Sequence, residues 1–357
     1  MPLWPKVQIQ LDSGAVADAQ APTIVSASRS TDIPAFYADW FFHRLQRGYS
    51  AWFNPFSGTK SYVAYHNTRF IVFWSKNPRP LLPHLDALEA RGIGCYIQFT
   101  LNDYTPEGLE RGVPPLQERI DTFAQLADRL GPERVIWRFD PLMLTEHLGI
   151  DQLLQRIEHI GNQLLGLTNK LVFSFADIGP YRRVRANLAR SGVRYLEWAP
   201  PQMEAFAQRL TALNQRWGYQ LSTCAERIDL AHHGIAHNRC IDDELIVRLA
   251  HHDPALMASL GVEVRSIAPS PLSAAQLPMG AIALGGGRYA VRRRNNRDRG
   301  QRQLCGCAVS KDIGQYGTCP HLCSYCYANG SPQEAIAHLA AHRANPTGEA
   351  IAGDVER

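Results

Sequence analysis

Short apolar runs alternate with longer amphipathic stretches over most of the chain. The runs are rich in β-branched and aromatic residues: TIVSA at 23–27, FIVFW at 70–74, CYIQFT at 95–100, RVIWRF at 134–139, KLVFSF at 170–175 and YQLSTC at 219–224. Near-continuous apolar runs of this kind suit strands buried on both faces of a parallel sheet. Between them, 80–91, 115–130, 151–165 and 201–217 place Leu, Ile and Phe three or four residues apart with charges between. That is the spacing of helices with one buried stripe. Strand, helix, strand in this order predicts right-handed βα units. About six units predict an α/β fold, an incomplete (β/α) TIM-like barrel, since a full barrel needs eight. A flat doubly wound sheet is the alternative. The segment 49–65 breaks the rhythm and is expected to form a hairpin around Pro55–Lys60, or else a further core strand. Residues 1–22 lack clear periodicity and are expected to form a loose arm. The partial barrel is expected over 23–300, a cysteine-rich cluster loop and helix packing on its mouth over 301–345, and a frayed tail over 346–357.

In either architecture, function collects at the carboxyl ends of the strands. Just past the runs stand Arg29, Thr31 and Asp32, then Lys76 and Asn77, Asn102 and Asp103, Arg138 and Asp140, Asp177, and Glu226. Loops are polar wherever strands end, so most of these positions add little. The WRFDP segment adds more, because a strand alternating from Trp137 points both Arg138 and Asp140 into the mouth. Such a pair either orients a substrate or organises the mouth as a structural ion pair. Asp103, Arg138, Asp140 and Glu226 are the candidate catalytic residues.

The composition, 45% hydrophobic and 20% charged over 357 residues, excludes a disordered, collagenous or coiled-coil chain. Lys and Arg number 37 against 33 Asp and Glu, a formal charge of +4 that announces neither a nucleic-acid nor a membrane partner. No run approaches the roughly 18 apolar residues of a spanning helix. The first residues, MPLWPKVQIQ, carry no signal-peptide pattern, and a cytoplasmic location is expected. The eight cysteines change the picture because five of them, Cys305, Cys307, Cys319, Cys323 and Cys326, lie close together. In a reducing compartment such a group reads as metal-binding before it reads as disulfides.

Cys319-Pro-His-Leu-Cys323-Ser-Tyr-Cys326 is C-x3-C-x2-C with an aromatic residue before the last cysteine. Three thiolates can hold three irons of a [4Fe–4S] cube and leave the fourth iron open to a small molecule. The competing reading is a zinc knot, with the five clustered cysteines and His321 supplying four tetrahedral ligands. Cys224, Cys240, Cys305 and Cys307 are a further candidate metal set for a second, fully protein-coordinated iron–sulfur cluster. The alternative for Cys224 and Cys240 is that of small buried residues. Cys95, inside a predicted strand, is expected in the core.

The motif resembles that of the radical S-adenosylmethionine (radical SAM) superfamily. The whole chain is similar to an uncharacterised bacterial family, a domain of unknown function with the motif at its C-terminus, through SRSTDIPAF, FWSKNP, TLNDY, WRFDP, TCAERIDL and CGCAVSKDIGQYGTCPHLCSYCYAN. Radical SAM proteins usually carry the triad after their first barrel strand. Here it stands near the C-terminus, as though circularly permuted, and no GGE-like segment follows a second strand. The resemblance implies a [4Fe–4S] cluster on Cys319, Cys323 and Cys326 and S-adenosylmethionine on its open iron, with Arg29 among the cofactor-binding residues. It also implies reductive cleavage to a 5′-deoxyadenosyl radical, fed by a reductant such as flavodoxin or ferredoxin.

Seven arginines between Arg288 and Arg302 could serve a nucleic-acid-binding arm on a non-catalytic barrel, though the only interleaved aromatic is Tyr289. Gly285-Gly286-Gly287 lacks the ending of a phosphate loop and reads as a turn, and no HExxH or GxSxG is present. Ser331-Pro332-Gln333-Glu334 is a capping box that opens a helix directly after the cysteine loop.

Overall fold

The six apolar runs become six neighbouring parallel strands of one sheet. In the computed structural model, which describes residues 4–266 and 277–353, they are β1 (Ile24–Ala27), β2 (Phe70–Ser75), β3 (Gly94–Thr100), β4 (Val135–Leu142), β5 (Lys170–Phe175) and β6 (Gln220–Thr223). Two short strands extend the edges: β7 (Ala236–His237) beside β6, and β8 (Lys311–Asp312) beside β1. The spatial order is β7-β6-β5-β4-β3-β2-β1-β8, all parallel. The chain is therefore a mixed α/β protein built on a large parallel sheet. From β1 to β7 the order follows the chain without the reversal that marks a doubly wound sheet.

The sheet does not close. Among the described residues β7 and β8 end it as separate edges, so no complete barrel forms. Side-chain alternation explains what fills each face. Odd-numbered positions such as Ile71, Phe73, Ile97, Phe99, Trp137 and Phe173 meet the helices Leu116–Leu130, Ile150–Gln163 and Pro200–Asn214 in the main core. Even-numbered positions near the amino ends, including Phe70, Val72, Tyr96, Ile136 and Val172, pack on the helices Asp243–Ala250 and Pro254–Leu260. A closed barrel fills its interior with its own strands' side chains. Here two helices and a three-stranded antiparallel sheet (Val262–Ser266, Ile282–Gly285, Arg288–Arg292) occupy that side instead. Further along the same face the residues turn polar: Gln98, Arg138, Asp140, Ser174 and Cys224.

The antiparallel strands Tyr49–Phe53 and Lys60–Ala64 form the expected hairpin. The first 22 residues differ from the loose arm expected of them. Lys6–Gln10 and Val16–Gln20 pair antiparallel, and the second strand runs parallel to Lys60–Ala64, completing a four-stranded sheet. The segment after Asn345 also docks, up to the last described residue. The Trp40 indole donates to Gly348 O at 2.8 Å, Ala51 N donates to Glu349 O at 2.8 Å, and Ala350, Ile351 and Ala352 are buried. Backbone carbonyls hold this stretch, which is why no apolar periodicity announces it.

Candidate iron–sulfur site

The loop carrying Cys319, Cys323 and Cys326 lies against the carboxyl ends of β1, β2 and β3, tied there by contacts far apart in sequence. His321 is buried; its Nε2 lies 2.7 Å from Asp32 Oδ2, and its Nδ1 lies 3.0 Å from Gly112 O. Gly112 N donates to His321 O at 2.9 Å, and Ser324 N donates to Leu109 O at 2.8 Å. Asn329 Nδ2 donates to Cys319 O at 2.8 Å, and Asn187 Nδ2 reaches both Cys326 O and Asn329 O at 3.2 Å. Leu322, between His321 and Cys323, adopts φ +53°, a left-handed conformation rare for a branched residue. Strain of this kind persists only where the surroundings over-determine it.

All three cysteines are free and half-buried as residues. Burial pushes the Cys319 thiol up to about 12, and it raises Cys323 and Cys326 as well. Backbone amides of His321 and Asp32 near Cys319, and of Ala328 and Asn329 near Cys326, work in the opposite direction. Beside Cys323 lies a buried polar cluster. Lys76 Nζ donates to Glu110 Oε1 at 2.7 Å and to Tyr325 OH at 2.9 Å, and Tyr325 OH donates to the same carboxylate. Asn102 Nδ2 donates to Glu110 Oε1 at 3.1 Å. Burial alone would raise the Glu110 carboxyl, but Lys76 and Arg119 outweigh it and hold the group at about 2. The aromatic residue of the motif is thus an anchor whose hydroxyl ends on a permanent ion pair.

The four cysteines of the further candidate metal set also approach one another. Cys224, at the end of β6, lies 3.4 Å from Cys240, sulfur to sulfur. Cys307 lies near both Cys240 and Cys305, and Ile241 N donates to its sulfur at 3.4 Å. Cys95 is buried in the main core, as expected. Among the described residues no three thiols lie within 4.8 Å of one another; the group that does is Glu204, His232 and His233, on the surface.

The chain matches, over residues 24–328, the family described as a domain of unknown function (DUF1848). It belongs to that family. The DUF1848 span runs from the first strand of the parallel sheet to two residues beyond Cys326, so it contains all eight cysteines and leaves out the N-terminal hairpin and the last helix, Pro332–Ala344. No curated protein and no solved structure matches the chain.

Within the DUF1848 span the candidate catalytic residues divide. Arg138 is fully buried; Nη2 pairs with the Asp140 carboxylate, and Nη1 donates to Gln98 Oε1 at 3.2 Å and to Cys240 Sγ at 3.1 Å. Asp140 also accepts from the Ser174 hydroxyl. Glu226 accepts the Phe175 amide at 2.9 Å, and burial, followed by the nearby Asp140 charge, pushes its carboxyl up to about 7 despite that hydrogen bond. Asp103 stands apart, its carbonyl oxygen receiving Arg156 Nη1 at 2.6 Å and its carboxylate near Arg119. Its neighbour Asn102 is the residue that ties the mouth together, accepting Asp140 N at 2.9 Å as well as reaching Glu110. Glu110 lies in a loop without periodicity, and nothing in the local sequence marks it. Arg29 lies beside Cys240 and Cys307. Of the basic stretch, Arg292 pairs with Asp243 and Glu244, Arg293 pairs with Glu263, Arg294 donates to Ser259 O, and Arg297 donates to two carbonyls of its own loop. These pairs fasten the three-stranded sheet and the loop after it.

Proposed function

We propose that the protein is an iron–sulfur enzyme of the radical SAM type, with Cys319, Cys323 and Cys326 holding a [4Fe–4S] cluster whose fourth iron takes S-adenosylmethionine. The open sheet is then a partial barrel, and the cysteine loop covers its mouth. The observation that carries this reading is three free thiols on one strained loop at the carboxyl ends of parallel strands. The donor set suits the group in its chemistry: three free thiols on one C-x3-C-x2-C loop, with the Lys76 charge beside Cys323.

When bound and reduced, such a cluster supplies the electron that cleaves S-adenosylmethionine to methionine and a 5′-deoxyadenosyl radical. The chain's own residues supply position and charge. Amides of Asp32, His321, Ala328 and Asn329 lie beside the ligand sulfurs and work against the burial that raises these thiols. Lys76 sets a positive charge beside Cys323, and Tyr325 fixes the turn before Cys326. His321 and Ser324 dock the loop on Asp32 and Leu109, which holds the three cysteines in place. A one-electron reductant such as flavodoxin or ferredoxin is the expected partner.

Anaerobically purified protein should be brown, absorb broadly near about 400 nm, contain iron and sulfide, and form 5′-deoxyadenosine from S-adenosylmethionine under reduction. Colourless protein carrying one zinc and no sulfide would contradict the reading.

A further inference from the structure

The helix Arg182–Ser191 carries Arg182, Arg183, Arg185 and Arg190, and no acidic residue occurs anywhere from Ile178 to Leu196. Three of these arginines stand at its start, where the helix dipole disfavours positive charge. All four are exposed, as is Arg111 in the seat of the cysteine loop. Among the described residues none of the five pairs with a carboxylate. Arg183 lies over the Tyr316 ring, Arg185 donates to Gly179 O, and Arg190 donates to Asn187 Oδ1 at 2.8 Å. The side chains of Arg111 and Arg182 make no hydrogen bond or ion pair there. Arg292 and Arg293 of the basic stretch differ, being neutralised by Asp243, Glu244 and Glu263. The uncompensated patch adjoins the cysteine loop. Asn187, between Arg183 and Arg190 on one helix face, holds Cys326 O and Asn329 O at 3.2 Å. Arg111, Asn187, Arg190, Cys323 and Asn329 line a cleft of about 100 Å³. That is well below the roughly 300 Å³ of the smallest ordinary ligand pockets, so the cleft is not a substrate site.

We propose that these five arginines form the docking surface for an acidic one-electron carrier protein, which delivers its electron to the triad's cluster at the Cys323 cleft. The proposal rests on the iron–sulfur reading above. One electron passes, the carrier being oxidised and the cluster reduced, and no bond forms or breaks. The formal charge of the whole chain is only +4, so the local patch rather than the net charge must steer such a partner. Opposed charges raise the rate of encounter and fix the orientation of docking more than they raise affinity. That suits a donor which must leave after each electron. Guanidiniums free of internal partners are also the groups best shaped to take carboxylates in pairs of hydrogen bonds.

The test is reduction of the anaerobic holoprotein by an acidic bacterial flavodoxin, followed as bleaching of the cluster absorbance, with calorimetric affinity for the oxidised flavodoxin as a second readout. Arg111→Glu combined with Arg182→Glu should slow this reduction at low salt by at least about tenfold and weaken the affinity. The gap should close at about 0.5 M salt. Dithionite needs no docking surface and should bleach both proteins alike, with equal iron in each. Arg91→Glu combined with Arg248→Glu makes the same change in net charge near the amino ends of the strands, and should act far more weakly. Equal slowing by the two double variants would overturn the docking surface, because net charge alone would then explain it. So would an unchanged rate in Arg111→Glu with Arg182→Glu, or a wild-type cluster that dithionite bleaches and the flavodoxin does not. Each of these leaves the iron–sulfur reading standing. Binding of transfer RNA that the same variant abolishes, beside unaltered reduction by flavodoxin, would assign the patch to nucleic acid instead. Protein without iron and sulfide would remove the reading and the surface together.

Discussion

Asp12 shows how a single exposed charge can hold a buried one. Arg44 is fully buried; its Nη1 donates to Asp12 Oδ2 at 2.6 Å, and Arg47 Nη2 donates to the other oxygen at 2.7 Å. Burial works to raise the Asp12 carboxyl, but these two guanidiniums outweigh it and lower the group to about 2, below its ordinary 3.8. A carboxyl lowered by folding contributes stability that is complete above about pH 4 and is lost as pH falls through about 2. Asp12→Asn should therefore destabilise the protein at pH 7 by about 1 kcal/mol, a small figure because the carboxylate is 38% exposed and screened by water. In urea titrations from pH 7 to about 2.5, the gap between variant and wild type should narrow below about pH 4. A constant gap would show that packing, not the ion pair, sets the effect. At this same scale the sequence is least readable. The Asp32–His321 and Lys76–Glu110–Tyr325 contacts join residues that no local pattern relates, and Asn102 bonds where its charged neighbour Asp103 draws the eye.

Elements were more legible, for a physical reason. Strands buried on both faces must be apolar throughout, so all six core strands stand out as runs, and the helices between them show their buried stripe. Lys6–Gln10 and Val16–Gln20 escape that logic because they are half-exposed and rich in Gln, and the residues alternating inward are Val7, Ile9 and the small Ala17 and Ala19. The cysteine loop is visible as a motif, but its seat is not. Gly112 supplies part of that seat: a Cβ there would stand 2.9 Å from His321 Cα and closer still to Pro320 O. Gly112→Ala must push the loop away from Leu109–Gly112, with the parallel sheet untouched. The expected result is a folded protein, by circular dichroism, with markedly less iron bound on anaerobic reconstitution. Normal loading at the triad would mean that the loop's docking is not what shapes the ligands.

For the molecule as a whole, the parallel sheet gathers two groups of cysteines at one end and leaves the other end to apolar packing. Gly94–Thr100 and Val135–Leu142 show the division along single strands, with Tyr96 and Ile136 in the second-face core and Gln98 and Arg138 beside Cys240. The strand order was within reach of sequence reasoning. The filling of the second face by Asp243–Ala250, Pro254–Leu260 and the three-stranded sheet was not, because short helices and strands there follow no βα rhythm. The account's central claim is that the C-x3-C-x2-C loop holds a cluster with one iron open to S-adenosylmethionine. Low-temperature electron paramagnetic resonance of the reduced protein, before and after adding that cofactor, tests it most directly. A reduced [4Fe–4S] signal whose g-values shift on addition, and which Cys323→Ala abolishes, is the predicted result. A spectrum that S-adenosylmethionine leaves unchanged, in protein with full iron and sulfide at the triad, would contradict it.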